Sequence, residues 1–150
     1  MQRALAYARR IEAGEGLETF DDCDDALLIT EAALAAPGPG IVYVNAALER
    51  LCGYSRAELL GQSPRLLQGF DTDRDELDRL RRDLDASGCF EGEIMNYDKR
   101  RQEYVLGWVV VPIHDAAGAV CNWLSLQTDV LREGGIERAK TVAVATAAAV

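Results

Sequence analysis

Ile41-Val42-Tyr43-Val44-Asn45-Ala46-Ala47-Leu48-Glu49-Arg50-Leu51-Cys52-Gly53-Tyr54-Ser55 changes its period part-way along. The first four residues are β-branched or aromatic, the composition of a strand. From Asn45 onward Ala47, Leu48, Leu51 and Cys52 fall on one helical stripe. Gly53-Tyr54-Ser55 interrupts that stripe, and Ser55 with Glu58 three residues later makes a capping box that starts a helix again. A strand that feeds directly into short, interrupted helices is the feature around which the rest of the chain arranges itself.

Upstream, Arg3 to Ala13 spaces Leu5, Ala8 and Ile11 at helical intervals and stops at Gly14-Glu15-Gly16. Ala26 to Thr30 reads as a buried strand, and Pro37-Gly38-Pro39-Gly40 is turn chemistry. Downstream, Thr72-Asp73 opens a charged helix through Leu84, with Leu77, Leu80 and Leu84 inward. Strands follow over Phe90 to Asp98, Glu103 to His114 and Val120 to Val130, joined by turns at Lys99-Arg100-Arg101-Gln102 and Asp115-Ala116-Ala117-Gly118. After Gly134-Gly135, Ile136 to Val150 reads as a trailing helix. Two strands, several short helices and then three strands predict an α+β domain: a five-stranded antiparallel sheet with helices on one face. The expected boundaries are a flanking helix in residues 1–24, the domain in 25–131 and a second flanking helix in 132–150.

A chain of 150 residues with 49% apolar and 27% charged residues suits one globular domain. No apolar run reaches the ~18 residues of a membrane span, and the start has no signal-peptide core, so the chain is read as cytoplasmic and without a membrane partner. A net charge of −9 argues against nucleic acid as partner. Cys23, Cys52, Cys89 and Cys121 are scattered without a C-x-x-C pair, and His114 is the one histidine, so no metal set is expected. Neither a phosphate-binding glycine loop nor a nucleophile–base–orienter set occurs. Enzymatic output, kinase or cyclase, is therefore expected outside these residues.

With those elements in place, Ile41 to Ser55 resembles the passage from second strand to first helix in PAS domains. Gly61-Gln62-Ser63-Pro64-Arg65-Leu66-Leu67-Gln68-Gly69 resembles the G-x-N-C-R-F-L-Q-G signature of the flavin-binding LOV subgroup. Asn96-Tyr97, Pro112-Ile113 and Gln127-Thr128-Asp129-Val130 follow at LOV-like spacings, so the resemblance covers Asp25 to Val130. It implies a PAS fold holding FMN or FAD between helices and sheet, and a response to blue light or redox state. Carried over by position, Arg65 and Arg81 would meet the flavin phosphate, and Gln68 the ribityl chain or ring edge. Asn96 would pair with the pyrimidine edge and Gln127 would face N5, while Ser63 and Leu66 belong to the same binding stretch. Three positions depart from the pattern. Pro64 stands where the adduct-forming cysteine would be, Ser63 replaces an asparagine, and Leu106 replaces a second ring-binding asparagine. The implied photochemistry is then reduction of the flavin without a cysteinyl adduct. The Ser-Pro-Arg-x-Leu-Gln combination also resembles PAS modules attached to bacterial histidine kinases and diguanylate cyclases, which implies a downstream effector. The second reading is a flavin-free PAS module that binds another small ligand or serves as an interaction domain.

The residues can also be read without the resemblance. Ser63 is a good N-cap and Pro64 a good first helical residue. Arg65 and Arg81 have Asp71, Asp73 and Asp75 as alternative partners. Asn96 shares a strand face with Phe90 and Ile94, and Gln127 with Ser125 and Trp123; two inward amides need buried partners. Trp108 and Trp123 are expected in the core or an interface, or, with Tyr97 and Tyr104, as electron donors to an excited flavin. Cys52 sits on a buried stripe. Val105, Val109 and Val111 oppose Trp108 and Val110, and Leu124 and Leu126 oppose Trp123. A sheet apolar on both sides must have its outer face covered, by the N-terminal helix, the C-terminal helix or another subunit. A homodimer through that face and the terminal helices is the expectation.

Overall fold

The passage from strand to helix at Asn45 turns on one buried side chain. Its Oδ1 accepts from the Leu48 backbone N–H at 3.1 Å, which caps the following helix, and from the Leu27 N–H at 3.0 Å. Its amide donates to the Asp25 carbonyl at 2.7 Å and the Phe20 carbonyl at 3.1 Å. One residue thus ties the first strand, the loop before it and the first inner helix together, and satisfies backbone groups that burial would otherwise leave unpaired.

A computed structural model of the chain describes residues 1–131. In chain order the elements are α1 (Gln2–Glu12), β1 (Ala26–Glu31), β2 (Ile41–Val44), α2 (Ala46–Cys52), α3 (Arg56–Leu59), α4 (Arg74–Ser87), β3 (Phe90–Tyr97), β4 (Glu103–His114) and β5 (Val120–Asp129), with short 3-10 turns at Leu17–Phe20 and Pro64–Leu67. The helix expected within 132–150 lies outside the described residues. The capping box at α3 is formed, Ser55 and Glu58 each accepting the other's backbone N–H. Asp73 caps α4 by accepting from Asp75 and Glu76.

The strands make one antiparallel sheet in the order β2-β1-β5-β4-β3. The α+β fold expected from the order of elements is the one formed. The pleat sends Trp123, Ser125 and Gln127 to an inner face beneath α4 and the Pro64–Leu67 turn, and Leu124 and Leu126 to the outer face.

The outer face is covered by the chain itself. Ala4 and Ala8 of α1 pack with Leu27, Ile29, Val111, Ile113, Leu124 and Leu126, their small side chains letting the helix lie close to the strands. Arg3 pairs with the Asp25 carboxylate, which also accepts from Tyr7 Oη at 2.7 Å, and Glu12 accepts from the backbone N–H of His114 at 2.8 Å, so α1 is pinned at both ends. The opposite side of α1 exposes Gln2, Arg3, Ala6, Arg9 and Arg10. Of the expected homodimer surface, α1 takes up the outer sheet face itself and presents a largely basic side outward, while the second terminal helix lies outside the described residues.

Candidate functional site

The inner face and the helices above it do not close on one another. Between them lies a cavity of about 660 Å³, well inside the range of small-molecule sites. Its floor is Leu28 and Thr30 of β1, Asn96 of β3, Leu106, Trp108 and Val110 of β4, and Trp123, Ser125 and Gln127 of β5. Its roof is Ser63, Pro64, Arg65, Leu67 and Gln68, together with Arg74, Leu77, Leu80, Arg81 and Leu84 along one stripe of α4. The segment between the two roof pieces is anchored. Thr72 Oγ1 accepts from the Gly69 N–H at 2.9 Å and donates to the Met95 carbonyl at 3.0 Å, and Tyr97 Oη accepts from the Asp71 N–H at 2.9 Å.

The floor is mainly apolar with a few buried polar groups. Asn96 is 4% exposed and Gln127 6%. Gln127 Nε2 donates to Ser125 Oγ at 3.1 Å. Gln127 Oε1 and Trp108 Nε1 are buried with no hydrogen-bond partner. Buried polar atoms are almost always paired, and a buried orphan costs about 1–3 kcal/mol. Beside Asn96, burial pushes the Tyr104 hydroxyl up to about 12, with the Asn96 amide working the other way. Tyr104 therefore stays neutral across the ordinary pH range.

The rim is basic. Arg65, Arg74 and Arg81 all border the cavity. Arg74 and Arg81 are seven residues apart, two turns along one face of α4. Neither Arg65 nor Arg81 is ion-paired with a described residue, although acids crowd the same stretch. Arg79, on another side of the helix, is paired with both Glu76 and Asp83. Arg74 instead donates through Nη1 to Gln68 Oε1 at 3.1 Å, which fixes the Gln68 amide at the cavity mouth. Three guanidinium groups, with the Asp85 carboxylate beside them, thus border the cavity in a chain of net charge −9.

Of the residues singled out in the sequence, Ser63, Pro64, Arg65, Gln68, Arg81, Asn96, Leu106 and Gln127 come together around this one cavity. Leu66 does not. It is 36% exposed and outside the lining, while Leu67 is 1% exposed and takes the inward place. The 3-10 turn accounts for the difference. With three residues per turn, Pro64 and Leu67 share a side and Leu66 is rotated off it. Ser63 and Pro64 fill their expected cap and first-helical positions, Ser63 Oγ accepting from the Arg65 N–H at 3.3 Å. Of the aromatic candidates Trp108 and Trp123 line the cavity, and Tyr97 and Tyr104 do not. Cys52 is buried in the cluster of α2 with its thiol pushed up by desolvation, and none of the four cysteines lines the cavity. Sequence reasoning missed Arg74 and the unpaired indole N–H of Trp108.

The family described as "PAS domain" matches residues 31–131. The chain belongs to the PAS family. Among curated proteins, this PAS domain is 31% identical over 94 residues to Phototropin-1A of Oryza sativa, a match covering 63% of this chain and 10% of that protein. It is 32% identical over 107 residues to a blue-light-activated histidine kinase of Brucella canis, covering 71% of this chain and 22% of the kinase. The match thus spans only a small part of these longer relatives. Among solved structures, the light state of the Aureochrome1 LOV domain superposes with a TM-score of 0.65 at 26% identity, covering 77% of this chain and 89% of that one. An RNA-binding light-oxygen-voltage receptor does so with a TM-score of 0.70 at 26% identity, covering 87% of this chain and 36% of that one. The PAS domain is therefore a relative of blue-light sensory domains.

Proposed function

We propose that this PAS domain holds a flavin, FMN or FAD, in the inner-face cavity and signals blue light or redox state without a cysteinyl adduct. The observation that carries the reading is polarity at both ends of one apolar cavity: buried amides of Asn96 and Gln127 on the floor, and three arginines at the rim. A flat ring with a polar edge, joined by a chain to a phosphate, matches that distribution. When bound, the flavin would supply blue-light absorption and the capacity to take up electrons. The chain's own part is to exclude water with Leu28, Leu67 and Val110 around the ring, and to hold the phosphate by Arg65 and Arg81. Gln127 presents an amide whose far end is already held by Ser125. Pro64, the residue at the position where LOV relatives are expected to carry cysteine, has no thiol to attack the ring, and the four cysteines stand outside the cavity. The effector is proposed to lie in a longer protein or a partner, as the span of the match within the kinase suggests.

The absorption spectrum tests this. Protein purified or reconstituted with FMN is expected to show structured blue bands. Under illumination these should bleach without a single new near-ultraviolet band that decays thermally in the dark. The appearance of that band would contradict the adduct-free reading. A colourless protein that takes up no FMN would contradict flavin binding and favour a flavin-free module.

A further inference from the structure

Trp108 and Gln127 are direct partners in the β4–β5 register, which sets their Cβ atoms about 5 Å apart on one face. Both line the cavity. The indole N–H of the first and Oε1 of the second are buried with no hydrogen-bond partner. One is a donor only and the other an acceptor, yet they do not satisfy each other. The second tryptophan of the floor shows the ordinary arrangement: Trp123 Nε1 donates to the Ala32 carbonyl at 3.0 Å. The two orphans are also held in place. The Trp108 ring rests against Phe90 with centroids 5.4 Å apart, and Gln127 is tethered through Nε2 to Ser125.

A fixed donor beside a fixed acceptor recognises the complementary pair, a carbonyl oxygen next to an N–H, such as the imide or lactam edge of a fused heteroaromatic ring. We propose that Trp108 and Gln127 form this couple, and that Trp108 makes the polar contact that Leu106, two residues earlier on the same face of β4, cannot make. The inference rests on the flavin reading above, because a flavin carries such an edge. Ser125 Oγ holds Gln127 by its Nε2, which leaves Oε1 as the end toward the ligand. The indole can only donate, so Trp108 fixes which ligand atom faces it.

Trp108→Phe removes the N–H and keeps an aromatic ring. FMN binding, followed by quenching of flavin fluorescence, should weaken about ten-fold or more, and the flavin carbonyl bands in the infrared should move to higher frequency. The melting temperature of the ligand-free protein should not fall, because the substitution removes an unsatisfied buried donor. Should the variant not fold, the unaltered protein gives the same answer. The indole proton resonance of Trp108 should move downfield on addition of FMN while that of Trp123 stays in place. FMN bound at parental affinity by Trp108→Phe with unchanged carbonyl bands, or an indole resonance of Trp108 that does not move, overturns the couple alone. A parent protein that takes up no FMN overturns the flavin reading and the couple together.

Discussion

The two faces of one sheet are built to opposite specifications. On the outer face Leu124 and Leu126 alternate along β5 into a dry contact with Ala4 and Ala8 of α1. On the inner face of the same strand Trp123, Ser125 and Gln127 border open space, and one side-chain oxygen goes unpaired. The outer face follows the rule for stability: small against large, with polar contacts only at the edges, at Asp25 and His114. The inner face departs from it by keeping polar atoms buried and unmatched beside a cavity. Departures of that kind cost stability and mark sites where a ligand completes the packing.

The contrast can be broken first from the outer side. Leu124→Arg places a charge beneath α1, and the expected loss is roughly 3–5 kcal/mol, a large part of a domain's stability. Urea unfolding should show it, while sedimentation of whatever remains folded should give an unchanged mass. A variant that folds normally but halves the mass of the parent would place a dimer interface on this face. On the inner side Asn96→Leu should do the reverse, leaving unfolding nearly unchanged while weakening FMN about 10- to 100-fold. Leu106→Asn should tighten FMN about ten-fold by returning an amide to the wall. A Leu106→Asn variant with unchanged or weaker affinity would mean that the ring edge lies elsewhere in the cavity. The smallest effects belong to the rim. Arg65→Ala and Arg81→Ala should each weaken FMN about five-fold, since exposed charge pairs contribute little, and leave riboflavin, which has no phosphate, unaffected. Equal losses for both flavins would assign the arginines to the fold rather than to phosphate.

How far the sequence reached follows the same division. Strand alternation and turn chemistry located the sheet closely: β4 runs over Glu103–His114 as expected, because its apolar alternation is bracketed by two polar turns. The need for a cover on the outer face was legible in Leu124 and Leu126, but its identity was not. The Leu5, Ala8 and Ile11 stripe offered the N-terminal helix as one of three covers, but apolarity says that a face is buried and not by which of them. Leu66 was expected at the site only from its place in the Gly61–Gly69 stretch, and the 3-10 turn rotates it off the cavity side. Arg74 lies on the Leu77–Leu84 stripe, where a strict helical count would have found it. The unpaired N–H of Trp108 was beyond any sequence pattern. Trp123 carries the same group on the same face, and only the neighbouring Ala32 carbonyl separates a satisfied indole from an orphan.

The central claim is that the inner face, and not the outer, is the ligand face. Nuclear magnetic resonance of isotope-labelled protein titrated with FMN tests it residue by residue. The side-chain amides of Asn96 and Gln127 and the methyls of Leu28 and Leu106 are expected to shift together and saturate at one equivalent. The methyls of Leu27, Leu124 and Leu126, one position along the same strands, should stay in place. Shifts confined to the outer face, or to neither, would contradict the account.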